Sequence, residues 1–132
     1  MKSVNCLFLL ALLAFACHSV KNGRNSKPDE DFNQFYLLFH SDSVFQMERI
    51  QFPLEGGSYD SENETKWNKK NWQLKKYTVY EVDTTQYKVE FNLTDTLVNE
   101  RIYIPNSGFD FHCKYKLIDG RWFLIYCMDQ NL

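Results

Sequence analysis

The sequence lacks the short motifs that identify common enzyme classes. It has no nucleophile elbow, no phosphate-binding glycine loop and no dinucleotide fingerprint, and no group of His, Cys, Asp and Glu residues has the spacing of metal ligands. We therefore expect no cofactor, no metal ion and no catalytic residue set, so enzymatic activity is the less favoured hypothesis. Basic residues are not in excess either, because the formal net charge is −2. That balance argues against nucleic acid as a partner.

The N-terminus also lacks an apolar run long enough to cross a membrane. Cys6 to Ala16 is apolar over eleven residues, whereas a membrane-spanning helix needs about 20. Lys2 precedes this run, and alanines occupy the third and first positions before Cys17. A positive start, a short apolar stretch and small residues at the end are typical of a secretory signal peptide. Residues 1–16 are therefore predicted to be removed.

The end of this segment, Leu13-Ala14-Phe15-Ala16-Cys17, resembles the lipobox of bacterial lipoproteins. The resemblance implies that Cys17 carries a diacylglycerol thioether and, after cleavage, an acyl chain such as palmitate on its amino group. Because two or more acyl chains anchor a protein stably, the expected partner is a membrane. The alternative is an ordinary secretory signal that leaves a soluble protein with a free Cys17.

Residues 17–28 are polar and contain few residues that could join a core, so we predict a lipidated cysteine followed by a flexible tether. In surface-exported lipoproteins of the Bacteroides group, an acidic run commonly follows the cysteine. Here the tether is basic. The predicted location is therefore the bacterial envelope, at the outer membrane facing the periplasm.

Residues 29–132 are predicted to form one domain that begins with helices. Phe32, Phe35, Tyr36 and Phe39 share one helical face, and a second short helix is predicted to start at Asp42 or Ser43. A short edge strand at 49–54 is predicted to end at a Gly56-Gly57 turn, and a helix is expected at about 62–71. Alternating apolar residues then predict strands at 77–82, 87–93, 102–104, 109–117 and 122–128. The pattern indicates an α+β domain with N-terminal helices packed on a curved antiparallel β-sheet.

A family resemblance rests on three features: the spacing of Phe32, Phe35 and Phe39, the segment FQMERIQFPL at 45–54, and GRWFL at 120–124. These resemble an uncharacterised family of Bacteroides-type lipoproteins within the nuclear-transport-factor-2-like, or cystatin-like, superfamily. The resemblance covers residues 29–130 and implies helices around a bent sheet with a cone-shaped apolar pocket. The expected function is a non-enzymatic module that binds a small apolar ligand or a protein partner. The alternative is a cofactor-free acid/base isomerase or lyase that uses a carboxylate, histidine or tyrosine in the cone.

Four side chains outside the motifs are candidates for function. His40 could act as a general base with Asp42 or Glu48, although a histidine in the last turn of a helix more often favours the negative end of the helix dipole. His112 is predicted to point away from the core. Trp67 and Trp72 have lysine neighbours, so they could form an exposed interaction surface. The alternative is that both rings simply pack between a helix and the sheet.

Cys113 and Cys127 flank a predicted hairpin turn at Asp119-Gly120. A type I turn with a glycine bulge would offset the two cysteines diagonally on one face, and a two-residue turn would place them on opposite faces. Since neither register sets them directly opposite, two reduced thiols are favoured over a disulfide. The resemblance to Bacteroides-type proteins also implies O-glycosylation at Asp-Ser/Thr sites, for which the candidates are Ser43, Thr84 and Thr96.

Overall fold

A computed structural model describes residues 28–132 and contains one six-stranded sheet with a small helical cap. The strand order is β2-β1-β6-β5-β4-β3. In chain order the elements are α1 (Phe32–Ser41), α2 (Ser43–Glu48), β1 (Ile50–Asp60), β2 (Glu64–Trp67), a 3₁₀ helix (Val79–Glu81), β3 (Lys88–Leu93), β4 (Leu97–Tyr103), β5 (Phe109–Ile118) and β6 (Arg121–Asn131). The predicted signal peptide, Cys17 and the tether up to residue 27 lie outside the described residues. Within residues 28–132, no helix is long and apolar enough to cross a membrane.

The prediction of a nuclear-transport-factor-2-like cone, with helices packed on a curved antiparallel sheet, is wrong. The sheet is mixed, since β1 pairs in parallel with β6 while the other neighbouring strands are antiparallel. The cap consists of a ten-residue helix and a six-residue helix, which cannot enclose a six-stranded sheet. The segment expected to supply another helix, at about 62–71, instead forms β2 and a turn.

Both N-terminal helices are confirmed, and each begins at an aspartate cap. Asp31 accepts a hydrogen bond from the backbone N–H of Gln34 at 2.9 Å. Asp42 accepts bonds from the N–H groups of Val44 and Phe45 at 2.9 and 3.0 Å. These carboxylates satisfy N–H groups that have no partner inside the helix. Capping therefore explains why the chain breaks between two adjacent short helices.

The predicted edge strand at 49–54 is longer and more central than expected. It continues through Gly56 and Gly57 to Asp60, and it lies between β2 and β6. The two glycines are therefore not a turn; they let neighbouring strands approach closely. A Cβ on Gly56 would collide with the carbonyl of Cys127, and a Cβ on Gly57 would lie 2.6 Å from the carbonyl oxygen of Thr65. The strand predicted at 77–82 is also wrong, since that segment contains the 3₁₀ helix.

The core lies between α1 and the inner face of the sheet, to which β1, β2, β4, β5 and β6 contribute buried side chains. The apolar face predicted for the first helix is buried, and Tyr115 on β5 is at its centre, with ring centroids 5.7 to 5.9 Å from those of four rings on α1: Phe32, Phe35, Tyr36 and Phe39. Aromatic pairs at this spacing add to the free energy gained by burial. This packing fixes α1 against β4 and β5, where the candidate site lies.

Candidate functional site

Glu100 is a carboxylic acid buried in the apolar face of the sheet. It lies on β4 between Val98 and Ile102, which share its face because strand side chains alternate, and it is only 1% exposed. A buried carboxyl group costs free energy unless hydrogen bonds compensate it. A charged residue at a core position is therefore a marker of function or of a structural polar network.

Two tyrosines supply those hydrogen bonds, and both reach the same oxygen. The hydroxyls of Tyr36 and Tyr115 lie 3.0 and 3.3 Å from Oε2 of Glu100. Tyr36 in turn accepts a hydrogen bond from the backbone N–H of Val79 at 3.0 Å, so its single proton is directed to the carboxyl group. Among the described residues, no hydrogen bond reaches Oε1 of Glu100.

Burial changes the acidity of the whole cluster. It raises the pKa of Glu100 to about 7, against the opposing effect of the hydrogen bonds from Tyr36 and Tyr115. Burial, together with the nearby Glu100 charge, raises the pKa of both tyrosines. The tyrosines consequently remain protonated donors, while the Glu100 carboxyl changes charge near neutral pH.

A cavity of about 220 Å³ opens beside Glu100. Its walls combine apolar side chains from the sheet with polar groups from the 74–78 segment and α1. The lining residues are His40, Leu74, Lys75, Lys76, Tyr77, Thr78, Val82, Glu100, Ile102 and Phe111. A second depression of about 360 Å³ shares four of these residues, His40, Leu74, Lys75 and Lys76, and continues towards the start of α2. We call the first the Glu100 cavity and the second its outer extension.

Lys75 crosses the edge of the Glu100 cavity and is held from several sides. Its Nζ lies 3.0 Å from a carboxylate oxygen of Asp129 on β6 and 4.7 Å from the ring centroid of Phe111. Its backbone is fixed by Gln46, whose amide oxygen accepts from Lys75 N–H and whose Nε2 donates to the Lys75 carbonyl, at 2.9 and 2.7 Å. The ammonium group is therefore paired, and Asp129 balances its charge at the site.

His40 lines both cavities but has no carboxylate partner of the kind expected. Its Nδ1 lies 2.8 Å from the carbonyl of Tyr36 one turn earlier, and burial lowers the pKa of the ring. Asp42 is used as the cap of α2, and Glu48 is exposed on the last turn of that helix. The less favoured hypothesis, a His40 base paired with Asp42 or Glu48, therefore has no such pair in the structure. His40 lies in the last turn of α1 and forms part of the cavity wall.

His112 lies on the opposite face of the sheet, as the alternation predicted. Its ring centroid is 5.4 Å from that of Tyr126, and burial lowers its pKa. It lines a polar depression with charged neighbours that include the Arg101–Asp110 ion pair. The whole sheet separates His112 from Glu100, so the two groups cannot act on one ligand.

Trp67 and Trp72 do not form the exposed interaction surface that was one hypothesis for them; both rings are packed in the core, as the favoured alternative held. The rings are 3% and 9% exposed and pack edge to face at 5.4 Å between centroids. The indole N–H of Trp67 donates to the carbonyl of Cys127, and that of Trp72 to Gln46, at 2.8 and 3.0 Å. The rings are thus buried with both N–H groups satisfied. Of the neighbouring lysines, Lys66, Lys69, Lys70 and Lys76 are exposed.

Cys113 and Cys127 lie directly opposite each other on β5 and β6, contrary to both predicted registers. Asp119 and Gly120 have positive φ, consistent with a two-residue turn, but the register shifts between Lys114 and Tyr115, where Ile125 is the extra residue on β6. The bulge moves Cys127 onto the face of Cys113. Both thiols are buried and free in the structure.

The three O-glycosylation candidates, Ser43, Thr84 and Thr96, all lie at exposed positions. Ser43 begins α2, and the two threonines lie in the loops before and after β3.

Residues 28–132 contain no group of three or more His, Cys, Asp or Glu side chains placed to hold a metal ion.

Sequence reasoning missed Glu100, Lys75 and the hydroxyl of Tyr36. For Glu100 a signal was present, since Val98, Glu100 and Ile102 alternate in phase and place an acid where the strand pattern requires an apolar side chain. Lys75 gave no such signal, because it lies in an irregular lysine-rich segment whose path depends on Gln46.

Comparisons with known proteins agree with a Bacteroides-type family. A protein-family model matches residues 30–131, which is most of the chain. The NMR structure of a protein from Bacteroides uniformis ATCC 8492 is similar, with 26% sequence identity and a TM-score of 0.62, and the alignment covers 78% of each chain. Among curated proteins, none matches this chain.

Proposed function

The chain belongs to the uncharacterised, Bacteroides-type family whose model matches residues 30–131, and we propose that it is an envelope lipoprotein whose domain binds a small, largely apolar ligand. The observation that carries the binding role is Glu100: a buried carboxyl lines a cavity, and both of its recorded hydrogen bonds fall on Oε2. Oε1 is then the recognition atom for the ligand.

The walls of the cavity suggest the chemistry of that ligand. Leu74, Val82, Ile102 and Phe111 provide an apolar surface, while the Lys75 ammonium is already paired with Asp129. Small-molecule sites commonly combine apolar walls with a few placed polar groups. With its pKa near 7, Glu100 donates a hydrogen bond when it is protonated. We therefore propose a neutral ligand with a carbonyl or hydroxyl acceptor and a compact apolar body.

The location is proposed from the N-terminal segment. Cys17 with its lipobox is the lipid attachment site in this proposal, and the basic tether favours the outer membrane facing the periplasm. Mass analysis of the mature N-terminus tests this directly: acyl chains on Cys17 are expected, and an unmodified Cys17 would contradict the anchor.

Ligand binding is tested by NMR titration with compact probes: cyclohexanone and cyclohexanecarboxamide as neutral acceptors, and cyclohexanecarboxylate as a charged one. We expect saturable chemical-shift changes at Glu100, Ile102 and Phe111 with the neutral probes, weakening as the pH rises through about 7 because the donor proton is lost. Glu100→Gln retains a donor, so it should bind without that pH dependence. Glu100→Leu should not bind.

The matched control for these variants is Glu90→Gln, because Glu90 lines the polar depression on the opposite face of the sheet. It should titrate like the unaltered protein. Shift changes scattered over the surface, or binding that survives in Glu100→Leu, would exclude the Glu100 cavity as the site.

A second candidate function is cofactor-free acid/base catalysis, and one observation favours it. A carboxyl group whose pKa is raised to about 7 can both take and return a proton at neutral pH. In this role Glu100 removes a proton next to a carbonyl and returns it to another position. Exchange of the α-protons of cyclohexanone in D₂O measures the first step. Catalysed exchange that disappears in Glu100→Gln, which still binds, would support an enzyme, and exchange at the uncatalysed rate would leave the binding role.

A further inference from the structure

We propose that Cys113 and Cys127 are a disulfide site, closed when the protein folds in an oxidising compartment. The two residues are direct Cα partners in the antiparallel β5–β6 pair, and their side chains share the core face of the sheet. Residues directly opposite in such a pair have Cα atoms about 4.5 to 5.5 Å apart. That separation lies within the range of about 4.4 to 6.8 Å found in disulfides.

The surroundings hold the pair in this register. On one side, the Trp67 indole donates to the Cys127 carbonyl at 2.8 Å. From β1, Gly56 approaches the same carbonyl so closely that any side chain there would collide with it. Because β1, β2 and β6 together fix Cys127, a bridge can close without movement of a strand.

The burial of the thiols determines when the bridge can form. Burial raises the pKa of the Cys113 thiol well above its ordinary value, and only the thiolate attacks a disulfide. The Cys113 thiol of the folded, reduced protein is therefore a poor nucleophile, and burial keeps an oxidant away from both thiols. The reaction occurs during folding or through transient opening of the β5–β6 pair.

The oxidant is a small-molecule or protein disulfide. One cysteine thiolate attacks it, forms a mixed disulfide and releases one reduced thiol. The second cysteine thiolate then attacks the protein sulfur of the mixed disulfide and releases the other. The two protons of Cys113 and Cys127 pass to the two released thiolates. The protein pair is thus oxidised by two electrons, and the oxidant is reduced by two.

The experiment uses the full chain with Cys6→Ser and Cys17→Ser, so that only the two core thiols remain. The protein is unfolded and refolded with either oxidised and reduced glutathione or reductant alone, then denatured and alkylated with iodoacetamide. After oxidative refolding we expect a mass lower by two hydrogen atoms, no alkylation, and one peptide that joins Cys113 to Cys127. Alkylation of both cysteines under both conditions would overturn the proposal.

Stability provides a second measurement, because a bridge that distorted the sheet would destabilise the folded protein. The oxidised protein should have a higher urea midpoint than the reduced protein, since a cross-link restricts the unfolded chain. A lower midpoint for the oxidised form would overturn the proposal as well. The variant with both core cysteines changed to serine is the control, and its midpoint should be the same with and without reductant.

Discussion

At the scale of single residues, the two carboxyl oxygens of Glu100 differ: Oε2 accepts two hydrogen bonds, and Oε1 accepts none from residues 28–132. Tyr36 and Tyr115 share Oε2, and Val79 N–H directs the Tyr36 proton towards it. A purely structural carboxyl would be expected to satisfy both oxygens inside the protein. The proposed binding role therefore rests on two facts: Glu100 lines a cavity, and within residues 28–132 no hydrogen bond reaches its Oε1.

The pH dependence of stability follows from the raised pKa of Glu100. The unfolded chain loses this proton near pH 4.5 and the folded protein only near pH 7, so the folded state binds more protons between these values. The Glu100 contribution to stability should therefore fall by about 3 kcal/mol as the pH rises across this window and then level off. Urea unfolding of the unaltered protein and of Glu100→Gln from pH 4 to pH 8 measures it. If the difference in unfolding free energy between the two proteins did not change with pH, the raised pKa of Glu100 would be contradicted.

The two tyrosines should not be equivalent. Tyr36→Phe removes the shorter bond to Glu100 and also leaves the Val79 N–H without its acceptor, whereas Tyr115→Phe removes only the longer bond. We expect losses of about 2 kcal/mol for Tyr36→Phe and about 1 kcal/mol for Tyr115→Phe. Urea unfolding at pH 6 compares the two variants, and equal losses would argue against the Val79 bond.

At the scale of elements, the position of the 72–75 segment depends on a side chain from α2. Gln46 is buried and makes four hydrogen bonds, with Phe39 O, Trp72 Nε1, and the N–H and C=O of Lys75. It thus joins α1, α2 and the segment that carries Lys75 into the Glu100 cavity. The sequence predicted α1 from its apolar spacing and a second short helix from Asp42 or Ser43, but long-range side-chain bonds such as these leave no periodic signal.

Gln46→Leu should therefore loosen the junction without altering either helix. It leaves buried donors at Trp72 and Lys75 unpaired, and we expect a loss of about 3 kcal/mol in unfolding free energy. Amide hydrogen exchange of Lys75 should also accelerate more than that of α1. The matched control is Gln73→Leu, an exposed glutamine in the same segment, which should change stability by only a few tenths of a kcal/mol. A similar loss in both variants would contradict the role of Gln46.

At the scale of the whole molecule, the parallel β1–β6 pair joins the N-terminal part of the chain to the β3–β6 meander. Local patterns predicted β3, β5 and β6 well, because these strands alternate apolar and polar residues and the last two are linked by a tight turn. They predicted only the end of β4, at 102–104, whereas the strand spans Leu97–Tyr103. They could not predict the parallel pair, which joins residues far apart in sequence, nor the Ile125 bulge that aligns the cysteines. The parallel pair brings Gly56 against the carbonyl of Cys127, where no Cβ fits.

Two glycines with positive φ provide a comparison of that packing. Gly56 and Gly120 have φ of 93° and 75°, but only Gly56 faces a backbone carbonyl, that of Cys127, where a Cβ would be placed. Gly120→Ala should cost about 1 to 2 kcal/mol through backbone strain. Gly56→Ala should cost clearly more, because it also separates β1 from β6. Thermal unfolding distinguishes them, and a larger loss for Gly120→Ala would contradict the account.

The central claim is that Glu100 is a titrating carboxyl group at a ligand cavity, and its own titration tests this most directly. In protein labelled with ¹³C at the glutamate side-chain carboxyl, the Glu100 resonance is identified by its absence in Glu100→Gln and followed with pH. We expect an apparent pKa of about 7, because burial disfavours the carboxylate. A pKa at or below the ordinary glutamate value of 4.5 would contradict it.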